Sequence, residues 1–207
     1  GKANIISPII DSQKYEQNLS SYAGNSLSNS NLLIITNLDE KSPEIEETEY
    51  VLKKENCNIK TLYINKGKID QNKIISIGNN LLGPFNHIIN IFDFYSRKEY
   101  RYSLKEMYIQ LQIETDYMIN CVKYGTICTV VLNKKELTIE EESELNGAKS
   151  LIKGLGSVLP NHSIINNGII VVGNVPIKRV IETASYMSSK YGQILTGNIF
   201  CLSEELI

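Results

Sequence analysis

From residue 31 onward, short runs of β-branched and aliphatic residues alternate with longer segments whose apolar positions recur every three or four residues. Asn31-Leu-Leu-Ile-Ile-Thr36 is apolar almost throughout, as expected of a strand covered on both faces. Similar runs predict strands at 58–64, 86–92, 126–132, 163–172 and 196–202, the run at 163–172 with Gly168 inside it. Between them, helical spacing predicts helices over 42–56, 70–82, 103–123, 138–159 and 176–190. The punctuation agrees. Ser42 is a candidate N-cap, Pro43 takes the first helical position, and Glu44 and Glu46 place negative charge in the first turn. A capping box is missing there, because Ile45 holds the position of its glutamate. Gly83-Pro84, Gly125 and Pro160 close helices, and Pro176 opens the last one. Strands alternating with helices of this length predict a three-layer α/β fold around a central, mostly parallel sheet of six or seven strands.

Ahead of this pattern, Gly24-Asn-Ser-Leu-Ser-Asn-Ser-Asn31 is polar and of low complexity. It reads as the loop joining an irregular N-terminal arm, residues 1–30 and packed on the domain, to a single domain over 31–207. Length and composition suit that reading, with 207 residues, 42% of them apolar and 21% charged. A formal net charge of −2 with both signs interspersed gives no field for nucleic acid or an anionic membrane. No apolar run approaches the roughly 18 residues needed to cross a bilayer, and the N-terminus lacks a signal pattern, so a cytoplasmic protein is expected. Cys57, Cys121, Cys128 and Cys201 are far apart with no CxxC pair, and are expected to be reduced and buried. With only His87 and His162 beside them, no metal site is expected.

Several segments resemble the short-chain dehydrogenase/reductase superfamily. Ala184-Ser-Tyr-Met-Ser-Ser-Lys-Tyr-Gly-Gln-Ile-Leu-Thr-Gly-Asn-Ile-Phe200 looks like its closing helix, loop and final strand, with Thr196-Gly197 in the usual place. Gly147-Ala-Lys-Ser-Leu-Ile-Lys-Gly-Leu-Gly156 and Ile164-Ile-Asn-Asn-Gly-Ile169 are similar to the long interface helix and the strand after it. Gly83-Pro-Phe-Asn-His-Ile-Ile-Asn-Ile-Phe92 looks like the fourth strand. The resemblance covers most of 31–202 and implies a Rossmann-like fold.

The departures from that family are as informative as the matches. The superfamily's first strand runs into a glycine-rich turn that brings the cofactor pyrophosphate onto backbone N–H groups. Here the turn is Thr36-Asn-Leu-Asp-Glu-Lys-Ser-Pro43, without glycine and with Asp39 and Glu40 in place. If the first strand is 3–7 instead, the turn Pro8-Ile-Ile-Asp-Ser-Gln13 has no glycine either. The family's tyrosine, with a lysine four residues on to lower its pKa, aligns with Glu141 and Leu145. The assisting serine falls near Val131 or Leu132, and the Asn-Asn-Ala-Gly motif appears as Asn90-Ile-Phe-Asp93. Tyr50/Lys54 and Tyr186/Lys190 repeat the tyrosine–lysine spacing, but as ordinary i, i+4 neighbours far from the expected place. No catalytic residue is assigned.

Only one helix fits between the strands at 58–64 and 86–92. With 31–36 as first strand the sheet is truncated, and Ser7 to Phe94 together with Lys153-Gly-Leu-Gly156 is then similar to the non-catalytic structural half of polyketide-synthase ketoreductases. With 3–7 as first strand and 13–22 as first helix, seven strands are restored. The Asn/Ser-rich stretch at 25–31 is a poor helix end and favours the first register. The resemblance therefore implies a catalytically degenerate reductase-like protein without cofactor, acting through contacts with a second copy or with a reductase of fatty-acid or polyketide-type biosynthesis. Apolar faces at Leu104, Met107, Ile109, Leu111, Ile113, Tyr117 and Met118, and at Leu151, Ile152, Leu155 and Val158, match the family's dimer helices, and Gly154 and Gly156 would permit close helix contact. An active 3-oxoacyl-type reductase using NADPH or NADH, or a small-molecule binding module, would use the carboxyl edge of the sheet, where Asn37, Asp39, Asn65, Asn90 and Asp93 are candidates. Asparagine and aspartate at strand ends are also ordinary turn formers.

Overall fold

The computed structural model describes residues 27–81, 83–95, 102–189, 192 and 195–204. The N-terminal arm up to residue 26, with the alternative strand at 3–7, and Lys190 lie outside the described residues. Six strands form one sheet: β1 Asn31–Thr36, β2 Asn58–Tyr63, β3 His87–Asp93, β4 Gly125–Asn133, β5 Ile164–Val172 and β6 Ile199–Ser203. Between them run α1 Pro43–Lys53, α2 Gln71–Asn79, α3 Leu104–Cys121, α4 Ile139–Val158 and α5 Ile177–Ser188.

The strand order is β2-β1-β3-β4-β5-β6 and every pairing is parallel. β1 lies directly between β2 and β3, with Ile35 beside Leu62 on one side and Asn90 on the other. That pairing leaves no place for another strand between β1 and β3, so among the described residues 31–36 is the first strand of this sheet, and the order reverses between it and β3. Alternate residues of the strands feed two cores. Leu33, Ile88, Phe92, Ile127 and Val131 pack with α2, α3 and α4, whereas Ile34, Ile89, Ile91, Val130 and Val171 pack with α1 and α5. The three-layer arrangement follows from strands apolar on both faces.

The helices close on specific contacts. Ser103 and Glu106 form a capping box at α3, and Thr138 and Glu141 form another at α4. Ser42 occupies the N-cap of α1, but its hydroxyl is buried and makes no cap hydrogen bond. The last strand starts at Ile199, three residues later than the sequence pattern suggests, because Thr196 and Gly197 turn against α4. Gly197 has φ +69°, its N–H donates to Asn166 O at 2.7 Å, and Thr196 Oγ1 donates to Gly156 O at 3.0 Å. A Cβ on Gly156 would land on the Gly197 backbone. Gly156 is thus needed within the chain, while Gly154 opens on empty space. Of the apolar residues expected to face a partner, only Ile109 and Val158 are largely exposed, and the others are buried or partly buried against the core. Cys128 is buried as expected, Cys57 and Cys121 are half-buried, and Cys201 on β6 is exposed.

Candidate functional site

In an open parallel sheet the crevice for ligands lies beyond the carboxyl ends of the strands where the order reverses. Here that point lies between β1 and β3, and its two sides are fastened together. Thr36 Oγ1 donates to Ile91 O at 2.7 Å and accepts from the Leu38 N–H at 3.0 Å. One residue on, Asn37 Nδ2 donates to Asp93 O at 2.8 Å, and the Asp93 N–H donates to Asn37 Oδ1 at 2.7 Å. The backbone ladder ends at the pair Thr36 and Ile91, so the Asn37 amide imitates a peptide group and adds one more rung. Asn65 Nδ2 donates to Asp39 Oδ1 at 3.1 Å, and Lys66 pairs with Glu40, holding the Glu40 carboxyl below its usual pKa.

A nicotinamide dinucleotide, which the fold implies, does not fit these residues. Its pyrophosphate needs backbone N–H groups at the mouth of β1 and at the start of α1. The Leu38 N–H is taken by Thr36, the Ser42 N–H by Asp39 O, and the Ile45 and Glu46 N–H groups by Ser42 O. Pro43 has no N–H to offer. The Leu38 side chain is buried in the core below the turn, and the carboxylates of Asp39 and Glu40 add the charge a phosphate avoids.

Four of the candidate residues, Asn37, Asp39, Asn65 and Asp93, do meet at this edge, as two hydrogen-bonded pairs. Asn90 does not. It sits in the middle of β3, wholly buried, and donates to Glu114 Oε1 of α3 at 2.6 Å and to Thr129 Oγ1 at 3.3 Å. The reason is the pleat, which turns Asn90 toward α3 rather than along the strand axis. Glu114 itself is fully buried, and burial pushes its carboxyl up to about 8. Sequence reasoning passed over it, although a glutamate in the inward stripe Met107, Gln110, Leu111, Glu114, Tyr117 and Met118 was a visible signal.

The positions matched to the family's tyrosine and lysine have other duties. Glu141 caps α4 and pairs with Lys134 at 3.0 Å, and Leu145 is in the core. Tyr50 is exposed on α1 with the Lys54 ammonium 4.2 Å from its ring centroid, and Tyr186 packs partly buried against the α5 side of the core. A cleft of about 640 Å³ adjoins the crevice between β1 and β3 and shares Asp93 with it, lying over the ends of β3 to β6, walled by Glu44, Asp93, Tyr95, Asn133, Lys134 and Glu204 among others. Its polar groups are engaged: Lys135 reaches Glu204 at 3.6 Å, and Tyr95 OH donates to Glu144 Oε2 of α4 at 2.8 Å. The Asn174 N–H holds the Glu204 carboxyl below its usual range. Among the described residues, no group of three or more His, Cys, Asp or Glu side chains could hold a metal ion. No described helix is long and apolar enough to cross a membrane.

No protein-family description matches the sequence, and no curated protein does. Solved structures do match. A short-chain type dehydrogenase/reductase from Mycobacterium marinum superposes with a TM-score of 0.66 at 12% identity, over 91% of this chain and 98% of that one. A 3-oxoacyl-[acyl-carrier protein] reductase with bound NAD from Brucella melitensis gives 0.63 at 11%, over 89% and 94%. A short chain dehydrogenase with bound NAD+ from Leptospira borgpetersenii gives 0.60 at 12%, over 84% and 91%. At such identities the likeness is one of architecture, and this chain has the Rossmann-like fold that these short-chain dehydrogenase/reductases share.

Proposed function

We propose that this chain is a catalytically degenerate relative of the short-chain reductases that works through protein contacts, as a partner of its own copy or of an active reductase in fatty-acid or polyketide-type biosynthesis. The observation that carries this reading is the Asn37 rung, which occupies the β1–β3 crevice with two short hydrogen bonds to the Asp93 backbone. The missing N–H at Pro43 and the Glu141/Leu145 pair on α4 support it.

The test is direct. A ligand at a hundred times its dissociation constant stabilises its protein by about 2.7 kcal/mol, enough to raise Tm by several degrees in a domain of this size. NADH and NADPH at millimolar concentration should leave Tm unmoved, and the tagged chain should co-purify with a reductase or sediment as a dimer. A shift of several degrees with either cofactor would instead overturn this reading and favour the active reductase. One observation favours a second reading, a binding module for a small polar molecule: the cleft over β3 to β6 is spacious enough for one. A metabolite screen by Tm, repeated with Asn133→Leu at the cleft wall, separates that reading from the first.

A further inference from the structure

The sheet face covered by α3 and α4 is largely apolar, with Asn166 of β5 bonded to Ile152 O of α4 and one polar row nearer the middle of the sheet. On β3, Asn90 stands between Ile88 and Phe92, and on β4, Thr129 stands between Ile127 and Val131. Register sets Asn90 beside Thr129 and Thr129 beside Gly168, so the row crosses three strands. Above Gly168 lies Ile152 of α4, and above Asn90 lies Glu114 of α3. Asn90 Nδ2 donates to Glu114 Oε1 at 2.6 Å. The other halves of the two groups, Asn90 Oδ1 and Glu114 Oε2, are both buried and have no hydrogen-bond partner.

Two acceptors left over beside an existing amide-to-carboxyl bond are what remains when a cyclic pair is missing its proton. We propose that Glu114 is a neutral carboxylic acid whose Oε2–H donates to Asn90 Oδ1, closing a reciprocal acid–amide pair that clamps α3 to the sheet and opens when the proton is lost to solvent. The closed pair satisfies both orphaned atoms, each of which would otherwise cost the desolvation of a buried polar group. In the deprotonated form Glu114 Oε2 and Asn90 Oδ1 are both acceptors, and the layer holds an uncompensated negative charge.

Among the described residues, no charged group offsets that negative charge. The raised pKa comes from burial, opposed only by the neighbouring amides of Asn90 and Gln110. Gln110 is on α3 itself, and its Nε2 is buried without a partner. The ionisable groups of the surrounding elements are engaged elsewhere. On β3, His87 bonds Thr126 and Asp93 receives the Tyr95 N–H. On β4, Cys128 faces the opposite core. On α2 and its cap, Asp70 holds the Lys73 N–H. On α4, Glu144 receives Tyr95 OH and the Leu104 N–H, and Glu141 pairs with Lys134. On α3, Tyr117 bonds Phe85.

Two measurements on the full chain decide the matter. With side-chain ¹³C-labelled glutamate, one carboxyl carbon of the wild type should remain in the acid form at pH 7 and titrate in the alkaline range, and Glu114→Gln should remove that signal alone. Glutamine keeps the shape and can form the same cyclic pair without a titrating proton. Hydrogen exchange then reads the clamp. Protection of α3 amides relative to α5 should fall roughly a hundredfold from pH 6 to pH 9 in the wild type, because the closed form loses about tenfold for each of the two pH units below its titration, and should stay level in Glu114→Gln. A wild-type spectrum in which every glutamate is ionised at pH 7 overturns the proposal whether or not the variant folds. So does an equal loss of α3 protection in both proteins.

Discussion

At the scale of single residues, two buried ionisable groups set the pH response. Glu114 is raised to about 8 from 4.5 by burial, so the folded protein keeps a proton that the unfolded chain releases. Stability on this account falls as pH rises from 4.5 toward 8, by about 1.4 kcal/mol per unit. His87, lowered by burial to about 4 from 6.5, acts in the other sense, since the unfolded chain binds a proton that the folded one refuses. Its contribution is lost as pH falls from 6.5 toward 4. Between 4.5 and 6.5 the two slopes cancel, so denaturant titrations should find a plateau there and a decline from 6.5 to 8 that Glu114→Gln abolishes. Asn37 supplies a second residue-level prediction. Asn37→Ala removes two hydrogen bonds and strands the Asp93 peptide, and should cost about 2 kcal/mol in urea unfolding. Asn37→Asp keeps the acceptor for the Asp93 N–H but sets a carboxylate against the Asp93 carbonyl, and should be no better. The sequence placed Asn37 and Asp93 among five candidates at the sheet's carboxyl edge, but it could not reveal their reciprocal bonding, which depends on the ladder ending one residue earlier. Asn90 misled for the same kind of reason: an asparagine in an apolar run has the same letter whether it faces a crevice or a helix.

At the scale of elements, local chemistry was legible wherever it was local. Strand β1 falls where its apolar run lies, and α1 starts at Pro43 as its proline requires. The boxes at Ser103/Glu106 and Thr138/Glu141 follow the same spacing rule that excluded one at Ser42. Thr138→Ala, at an exposed cap, should destabilise by about 1 kcal/mol, visible in thermal melts. Ser42→Ala should be nearly neutral, since that hydroxyl makes no cap bond. The start of β6 was not legible, because Thr196 and Gly197 are held by a helix some forty residues upstream. Gly156→Ala tests that contact. The added methyl would meet backbone rather than a flexible side chain, so a loss of about 1–3 kcal/mol is expected, as for other overpacked sites.

At the scale of the whole molecule, the alternation of strand and helix was enough to give the layers, while the position of β1 between β2 and β3 needed the pairing itself. Helices α3 and α4 carry their apolar residues mainly inward, leaving Tyr108, Ile109 and Ile119 as the larger exposed apolar groups of α3. If the chain dimerises through α3, replacing both isoleucines by lysine should leave the melting temperature of dilute samples unchanged and shift the sedimentation coefficient to that of a monomer. The Asn37 rung also bears on any attempt to build a dinucleotide site here. Grafting glycines into 39–42 would supply a supple loop, yet the proline opening α1 would still withhold its amide and Leu38 its space. A designer would have to replace the lining of the gap, rebuild the first turn of the helix and find the sheet another source of cohesion at its hinge, all in one step. Each such change alone makes the protein weaker before it makes it useful, so a path to a cofactor site by single substitutions runs uphill.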